Sequence, residues 1–246
     1  MQLKVINSNS AGNAYILEND QEALLIECGV NFDKIKQALN FNLRKVVGCL
    51  VTHEHGDHAK DIDKVMSAGI NVYATEGTFR SLNKSQNNRA VITFSGDQFR
   101  LGGFTVRPFK VEHDVAEPVG FLILHQECGK VLFLTDSFLC EWIFPGLNNI
   151  IIEANYSQDI LDAKVAAGSN PKFLRDRVIQ SHMSLETCKS MLAKHDLSQV
   201  NNIVLIHLSD GNSDEKRFKN EVEQLTGKQV HVAVAGLVIP FNKTPF

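Results

Sequence analysis

The five cysteines of this chain (Cys28, Cys49, Cys128, Cys140 and Cys188) are odd in number, lie far apart and include no C-x-x-C pair. That argues against a disulfide framework and reads instead as reduced thiols, mostly core residues, of a cytoplasmic protein. Hydrophobic runs are short too. None approaches the roughly 20 residues needed to span a bilayer, and Met1 to Ile6 pass straight into polar Asn7-Ser8-Asn9-Ser10, leaving no apolar core for a signal peptide. No membrane contact is expected. Positive charge is also in short supply: 25 Lys and Arg stand against 28 Asp and Glu, a formal net charge of -3. Contact with DNA or RNA would then be local to a site or helped by metal ions rather than driven by the whole surface. No internal repeat is clear enough to suggest duplication. What the chain does have is length and apolar content. Its 246 residues, 43% of them hydrophobic, suffice for one α/β domain over 1–246 with a shared core.

One stretch organises the rest. Residues 52–58, Thr-His-Glu-His-Gly-Asp-His, put His53, His55 and His58 together with Asp57 in six consecutive positions. The preceding run, 46–51, is apolar and rich in β-branched residues, as expected of a strand buried on both faces, so the motif sits where a strand ends. Alternate residues of an extended chain point the same way. His53, His55 and Asp57 can therefore converge, while His58, opening the next helix, approaches from the side. Imidazoles mixed with a carboxylate suit zinc, manganese or iron better than calcium or magnesium, which prefer all-oxygen shells. A polar loop with capping or solvated histidines is the plainer alternative, and it leaves the density of the pattern unexplained.

Around this anchor, residues 3–6, 14–17 and 23–27 read as short strands of an antiparallel meander, separated by turn-forming stretches. The turn 8–13 could be a plain turn, or a loop in which Ser8 and Asn9 help aim backbone N–H groups at a phosphate. Apolar spacing predicts a helix over 32–39 and another through Ile62, Val65, Met66 and Ile70, with a strand at 71–74. After a polar connection at 83–89, residues 90–94, 98–101, 104–111, 119–125 and 130–134 repeat the strand-turn pattern. Two meanders flanked by helices imply two sheets packed face to face with helices outside. The remainder reads as strands at 150–152, 201–206 and 231–234, helices at 158–167, 173–179, 184–195 and 215–226, and a tail over 237–246.

Three later strands also run into a ligand-type residue: 109–112 into His113, 131–135 into Asp136, and 203–206 into His207. Taken singly, each is more simply a surface or satisfied side chain. With the anchor present, convergence at one edge of the sheets becomes the better reading.

In order and spacing, HEHGDH at 53–58, His113, Asp136 and His207 resemble the metal motifs of metallo-β-lactamase-fold hydrolases over nearly the whole chain. That resemblance implies an α/β, four-layer αββα sandwich with two packed mixed sheets and helices outside. It also implies two divalent ions, zinc or manganese ahead of iron. His53, His55 and His113 would hold one, Asp57, His58 and His207 the other, with Asp136 and a water bridging them. The phrases at 8–13, 113–120, 153–155, 181–184 and 207–212 are similar to the YycJ/WalJ-like exonuclease branch, with Glu27 where Asp is usual and Tyr156 where His is usual.

The resemblance points to a phosphodiesterase with DNA as its substrate, in which Asp57 orients or deprotonates the attacking water. His182, like the histidine of His-x-Ser/Thr motifs, would touch the scissile phosphate or protonate the leaving oxygen. Asn155, Ser209 and Asn212 are candidate substrate contacts. Lys172, Arg175 and Arg177 could bind flanking phosphates, or simply form a solvated helix face. Only 71 residues separate Asp136 from His207 (207 minus 136), too few for the large inserted domain of β-CASP nucleases. A small-molecule hydrolase on the same scaffold, acting on a thioester, lactone or cyclic phosphate, is the alternative, and a metalloprotein without hydrolytic activity ranks third.

Overall fold

The computed structural model describes residues 1–168 and 171–244. The first sheet contains β1 (Gln2–Asn9), β2 (Gly12–Glu18), β3 (Ala23–Ile26), β4 (Val46–Leu50), β5 (Val72–Ala74) and β6 (Ala90–Ile92). The second contains β7 (Phe99–Leu101), β8 (Phe104–Lys110), β9 (Val119–His125), β10 (Gly129–Leu134), β11 (Asn149–Glu153), β12 (Asn202–Ile206) and β13 (Gln229–Val232). A last strand, β14 (Val238–Pro240), returns to the free edge of β1, so each sheet has seven strands.

Each sheet is half antiparallel and half parallel. In the first, β1 to β3 form a meander and β3 to β6 run parallel; in the second, β7 to β10 form the meander and β10 to β13 run parallel. The parallel strands are the apolar runs, as burial on both faces requires: β3, β11 and β12 are buried at every position.

Alternation along each strand sorts these side chains into layers. Leu17, Leu24 and Leu50 of the first sheet meet Phe104, Phe121, Phe133 and Val204 of the second in the central layer. Each such burial contributes about 1.5–3 kcal/mol. The other face of the first sheet, through Ile16, Leu25 and Cys49, packs on α1 (Phe32–Ala38) and α3 (Ile62–Ser67), which bury Phe32, Ile35, Val65 and Met66. The short α2 (Gly56–Ala59) and α4 (Glu76–Ser81) complete that side. Ile150, Ile152 and Leu205 of the second sheet pack on α7 (Leu185–Lys194) and α8 (Glu215–Thr226) through Leu185, Met191, Phe218 and Val222. The helices α5 (Gln158–Ala166) and α6 (Lys172–Ser181) contact each other beyond that sheet. The four-layer mixed-sheet arrangement expected from sequence is the one found.

Three local expectations need correcting. Residues 90–92 belong to the first sheet, as β6 parallel to β5, not to the second meander. α4 was not anticipated. It begins at Thr75, whose hydroxyl accepts from Thr78 N–H, and its six residues are too few to show a period. The expected tail over 237–246 includes an edge strand, while residues 245–246 lie outside the described residues. No helix among the described residues is long and apolar enough to cross a membrane.

Candidate metal centre

The strand directions decide where the site can lie. β1, β3 and β4 point one way in the first sheet, and β8, β10, β11 and β12 share one direction in the second. Ligand-type residues follow the carboxyl ends of most of these strands: Glu27 after β3, His53 after β4, His113 after β8, Asp136 after β10, Glu153 ending β11 and His207 after β12. In open sheets with parallel strands, that edge is where ligands bind.

Two groups of ligand atoms result. His53, His55 and His113 form the first, with ring centroids 4.8 to 5.0 Å apart and rings nearly perpendicular. Asp57, His58 and His207 form the second, Asp57 Oδ2 lying 3.4 Å from His58 Nε2 and 3.3 Å from His207 Nε2. Between them stands Asp136, whose Oδ2 is 2.7 Å from His58 Nε2 and 4.0 Å from His53 Nε2. A further cluster joins Asp136 to Glu153, His182 and His207.

Backbone geometry at these positions is strained. Glu27, Asp136 and His207 have φ of 64°, 46° and 54°, the left-handed region that costs a residue with a Cβ roughly 1–2 kcal/mol. Glu27 there meets Thr52 N–H and His58 beyond the neighbouring β4, while Asp136 and His207 reach His58 and Asp57 of the first sheet. Such backbone is common where function fixes it. Gly29 permits an equally tight approach. It follows Glu27 and Cys28, and a Cβ there would lie 2.7 Å from the His58 nitrogen and closer still to the Asp57 carbonyl.

The donor set fits metal ions. His53 Nε2, His207 Nε2 and Asp136 Oδ1 are buried without a well-directed hydrogen bond, their close neighbours being other members of these groups, although buried polar atoms normally have one. Electron-pair donors held this close, away from water, call for a cation between them, and nitrogen with carboxylate oxygen is a set for zinc, manganese or iron. Outer contacts hold the rings. Thr52 Oγ1 lies 2.9 Å from His53 Nδ1, leaving Nε2 for the site, and Glu27 Oε1 lies 3.5 Å from His58 Nδ1.

Electrostatics follow from the same packing. Burial, reinforced by neighbouring imidazoles, pushes the His53 pKa well below its ordinary value, and burial also lowers that of His113. For His58 and His207 burial acts the same way and is the largest single influence, but the surrounding carboxylates together outweigh it and raise both well above the usual range. These are Asp136 with Glu27 and Asp57 at His58, and Asp136 with Asp57 and Glu153 at His207. Asp136 itself, despite burial, is held far below the carboxylate range by His207 and His58. Burial likewise opposes His182, yet Glu153 and Asp136 raise it to about 9; its Nδ1 is 2.8 Å from an oxygen of each.

The groups open into a cleft of about 510 Å³, a volume typical of small-molecule sites. Asn155, Ser209 and Asn212 line it, as does His182. Asn155 Nδ2 also donates to the His207 carbonyl at 2.7 Å. Four expected substrate contacts lie elsewhere. Ser8 is buried behind His207, its Oγ accepting the His207 N–H at 2.9 Å and meeting Tyr15 Oη at 2.7 Å. The Asn9 side chain closes its own turn through Ala11 N–H, and it is Ser10 that reaches the cleft. Arg175 pairs with Asp162 at 2.7 Å and Asp176 at 3.0 Å, and Lys172 is exposed; neither lines the cleft, whereas Arg177 does. Glu153 and Glu27 were not expected at the centre, although both obey the rule of a strand ending in a ligand-type residue.

Comparison with known proteins agrees with this geometry. An exodeoxyribonuclease YycJ of Bacillus anthracis is 28% identical over 240 residues, covering 92% of this chain and 89% of that protein. An exodeoxyribonuclease WalJ of Streptococcus pneumoniae is 26% identical over 246 residues, covering 94% and 90%. The crystal structure of the metallo-β-lactamase-fold protein YhfI from Bacillus subtilis superposes with a TM-score of 0.73 at 17% identity, over 97% of this chain and 98% of that one. The sequence profile described as Beta-lactamase superfamily domain matches residues 23–208. That profile spans every ligand candidate from His53 to His207, and the chain belongs to the metallo-β-lactamase superfamily of hydrolases.

Proposed function

We propose that this hydrolase is a phosphodiesterase that works with two divalent ions and degrades DNA as an exonuclease. The observation that carries the reading is the position of Asp136 Oδ2 between two three-residue ligand groups, with His182 in the same cleft. The printed activity of the YycJ and WalJ relatives supports the choice of DNA. His53, His55 and His113 would hold one ion, Asp57, His58 and His207 the other, and Asp136 both. Bound there, the pair supplies Lewis acidity for phosphoryl oxygens and an acidified water for in-line attack.

The chain's own groups do the rest. Asp57 is held by Asn13, whose Nδ2 lies 3.2 Å from its carbonyl and 3.4 Å from Oδ2, so its carboxylate is fixed beside His58 and His207, where it would orient the reacting water. His182 is fixed at Nδ1 by Glu153, which also accepts the Met183 N–H at 3.1 Å. Its Nε2 is then the nitrogen that can protonate a leaving oxygen. Glu153 acts through His182 and is a positioning residue.

The test is an activity panel with Mn²⁺ or Zn²⁺ on end-labelled single- and double-stranded DNA, RNA, bis(p-nitrophenyl) phosphate, thioesters and lactones. Stepwise loss of terminal nucleotides from DNA, abolished by EDTA and by Asp57→Ala and reduced about 10²–10⁴-fold by His182→Ala, is expected. Turnover confined to thioesters or lactones would replace this reading with the small-molecule one.

A further inference from the structure

α6 turns one stripe towards the cleft rather than towards a core. Leu174, Arg177, Val178 and Ser181, at the i, i+3, i+4, i+7 spacing of one helix face, all line it. Successive residues on a helix are about 100° apart, so Arg175, two positions from Arg177, points roughly 160° away from it, and there it pairs with Asp162 of α5. The end of the stripe is anchored, since Ser181 Oγ donates to Asp114 Oδ1 at 3.0 Å, beside His113.

Among the cleft-lining residues Arg177 is the only Lys or Arg; it is exposed, and its guanidinium makes no hydrogen bond or ion pair with the described residues. The carboxylates that line the cleft, Asp57 and Asp136, are committed to the imidazoles of the metal groups. A guanidinium in a cleft with every nearby carboxylate engaged is suited to an anion brought by the substrate, and its planar fork matches phosphate. Leu174 and Val178 place apolar surface on the same stripe, one residue to one side and one turn away.

We propose that Arg177 binds a phosphate of a nucleic-acid strand adjacent to the one being hydrolysed, with Leu174 and Val178 against the nucleoside between them. This deepens the phosphodiesterase reading and rests on it for the identity of the strand. α6 is thus the wall that distinguishes a polynucleotide from a lone phosphodiester.

The experiment is fluorescence anisotropy of the metal-loaded protein with a labelled single-stranded oligodeoxynucleotide carrying phosphorothioate linkages, at salt from about 50 to 200 mM. Arg177→Ala is expected to weaken binding about tenfold or more and to make the slope of log K against log salt shallower by about 0.7, one phosphate contact on a single strand. Arg177→Lys recovers part of the affinity, and Lys216→Ala on α8 serves as a charge-matched control that stays within about twofold of wild type. In hydrolysis, the Arg177→Ala loss is at least tenfold greater on the ordinary oligonucleotide than on bis(p-nitrophenyl) phosphate, which carries no second phosphate. Wild-type affinity and slope in Arg177→Ala overturn the proposal, as does a wild type that does not bind the oligonucleotide. Arg177-dependent binding with no cleavage of any phosphodiester removes the catalytic reading and leaves the anion site; cleavage with Arg177-independent binding does the opposite.

Discussion

If the two groups each hold an ion as proposed, Gly29→Ala should disable one of them without altering a single ligand candidate. The added methyl would sit 2.7 Å from the His58 nitrogen and closer still to the carbonyl carbon and oxygen of Asp57. Real Cβ contacts essentially never fall below 3.0 Å, and the obstructing atoms are backbone, which cannot swing aside. Relief therefore requires Asp57 and His58 to move by ~1 Å relative to β3, with an overpacking cost of ~1–3 kcal/mol. Metal sites tolerate about ±0.2 Å in ligand distance, so that movement exceeds the tolerance several-fold for the group of Asp57, His58 and His207. The first group is spared, because His53 and His55 precede the displaced residues and His113 comes from the other sheet. Metal titration of EDTA-stripped protein, with metal content measured after gel filtration, should show one ion retained and the affinity for the other reduced at least about 10–100-fold, the usual cost of disturbing a ligand's support. Gly56→Ala, in the same motif, is the matched control, since a Cβ there meets nothing within 4 Å. A folded Gly29→Ala protein that binds both ions as wild type does would refute the close approach on which the reasoning depends.

Two other outcomes follow from burial and charge. In metal-free protein, His182 is raised from its ordinary 6.5 to about 9 by the Glu153 and Asp136 carboxylates acting against burial. A folded-state pKa above the unfolded one stabilises fully below about 6.5 and is lost as pH rises through about 9. The gap corresponds to ~3 kcal/mol, and His58 and His207 shift in the same direction. Melting temperature in EDTA should therefore decline across that window and decline less in Glu153→Gln; a flat wild-type profile contradicts the assignment. The cysteines should be inert in the native state, as all five are free and buried, and burial pushes the Cys128 thiol up to about 12. A thiol reagent such as DTNB should find at most a slow reaction at Cys140, the most exposed at 7%, and five thiols in denaturant; rapid labelling of several native thiols would contradict this packing.

Much of the site could be read in one dimension because its signal is local. An apolar strand that runs into His, Asp or Glu marks a strand end with a candidate ligand, and this pointed to His53, His113, Asp136 and His207, which the fold brings together. The same rule covers Glu153 and Glu27, whose acidic side chains resemble the ordinary polar residue that closes a strand. What could not be read is facing. Ser8 was expected in the cleft, but the β1–β2 register shifts between Val5 and Asn7, and one extra residue reverses the alternation, so burial passes from Leu3 and Val5 to Ser8. Arg175 and Arg177 differ only in phase on α6. That helix has exposed Phe173 and no apolar stripe strong enough to reveal which side docks, so the choice is made by Asp162 on α5. β6 was assigned to the wrong sheet because parallel pairing with β5 is a non-local contact that three residues do not encode.

The division of ligands between the sheets has a physical consequence of its own. The first sheet contributes His53 and His55 to one group and Asp57 and His58 to the other, always short of a third protein ligand. The second sheet supplies that third ligand each time, His113 and His207, and Asp136 as the link. Neither sheet completes either of these two groups alone, although the second sheet's side also gathers Asp136, Glu153, His182 and His207. The two groups are completed only when the central apolar layer packs the sheets together, and on the proposed reading the free energy of binding ions there would in turn hold the sheets together. The left-handed backbone at Glu27, Asp136 and His207 is tolerable in this light, since strain of roughly 1–2 kcal/mol at each is set against a packed interface of more than twenty buried side chains.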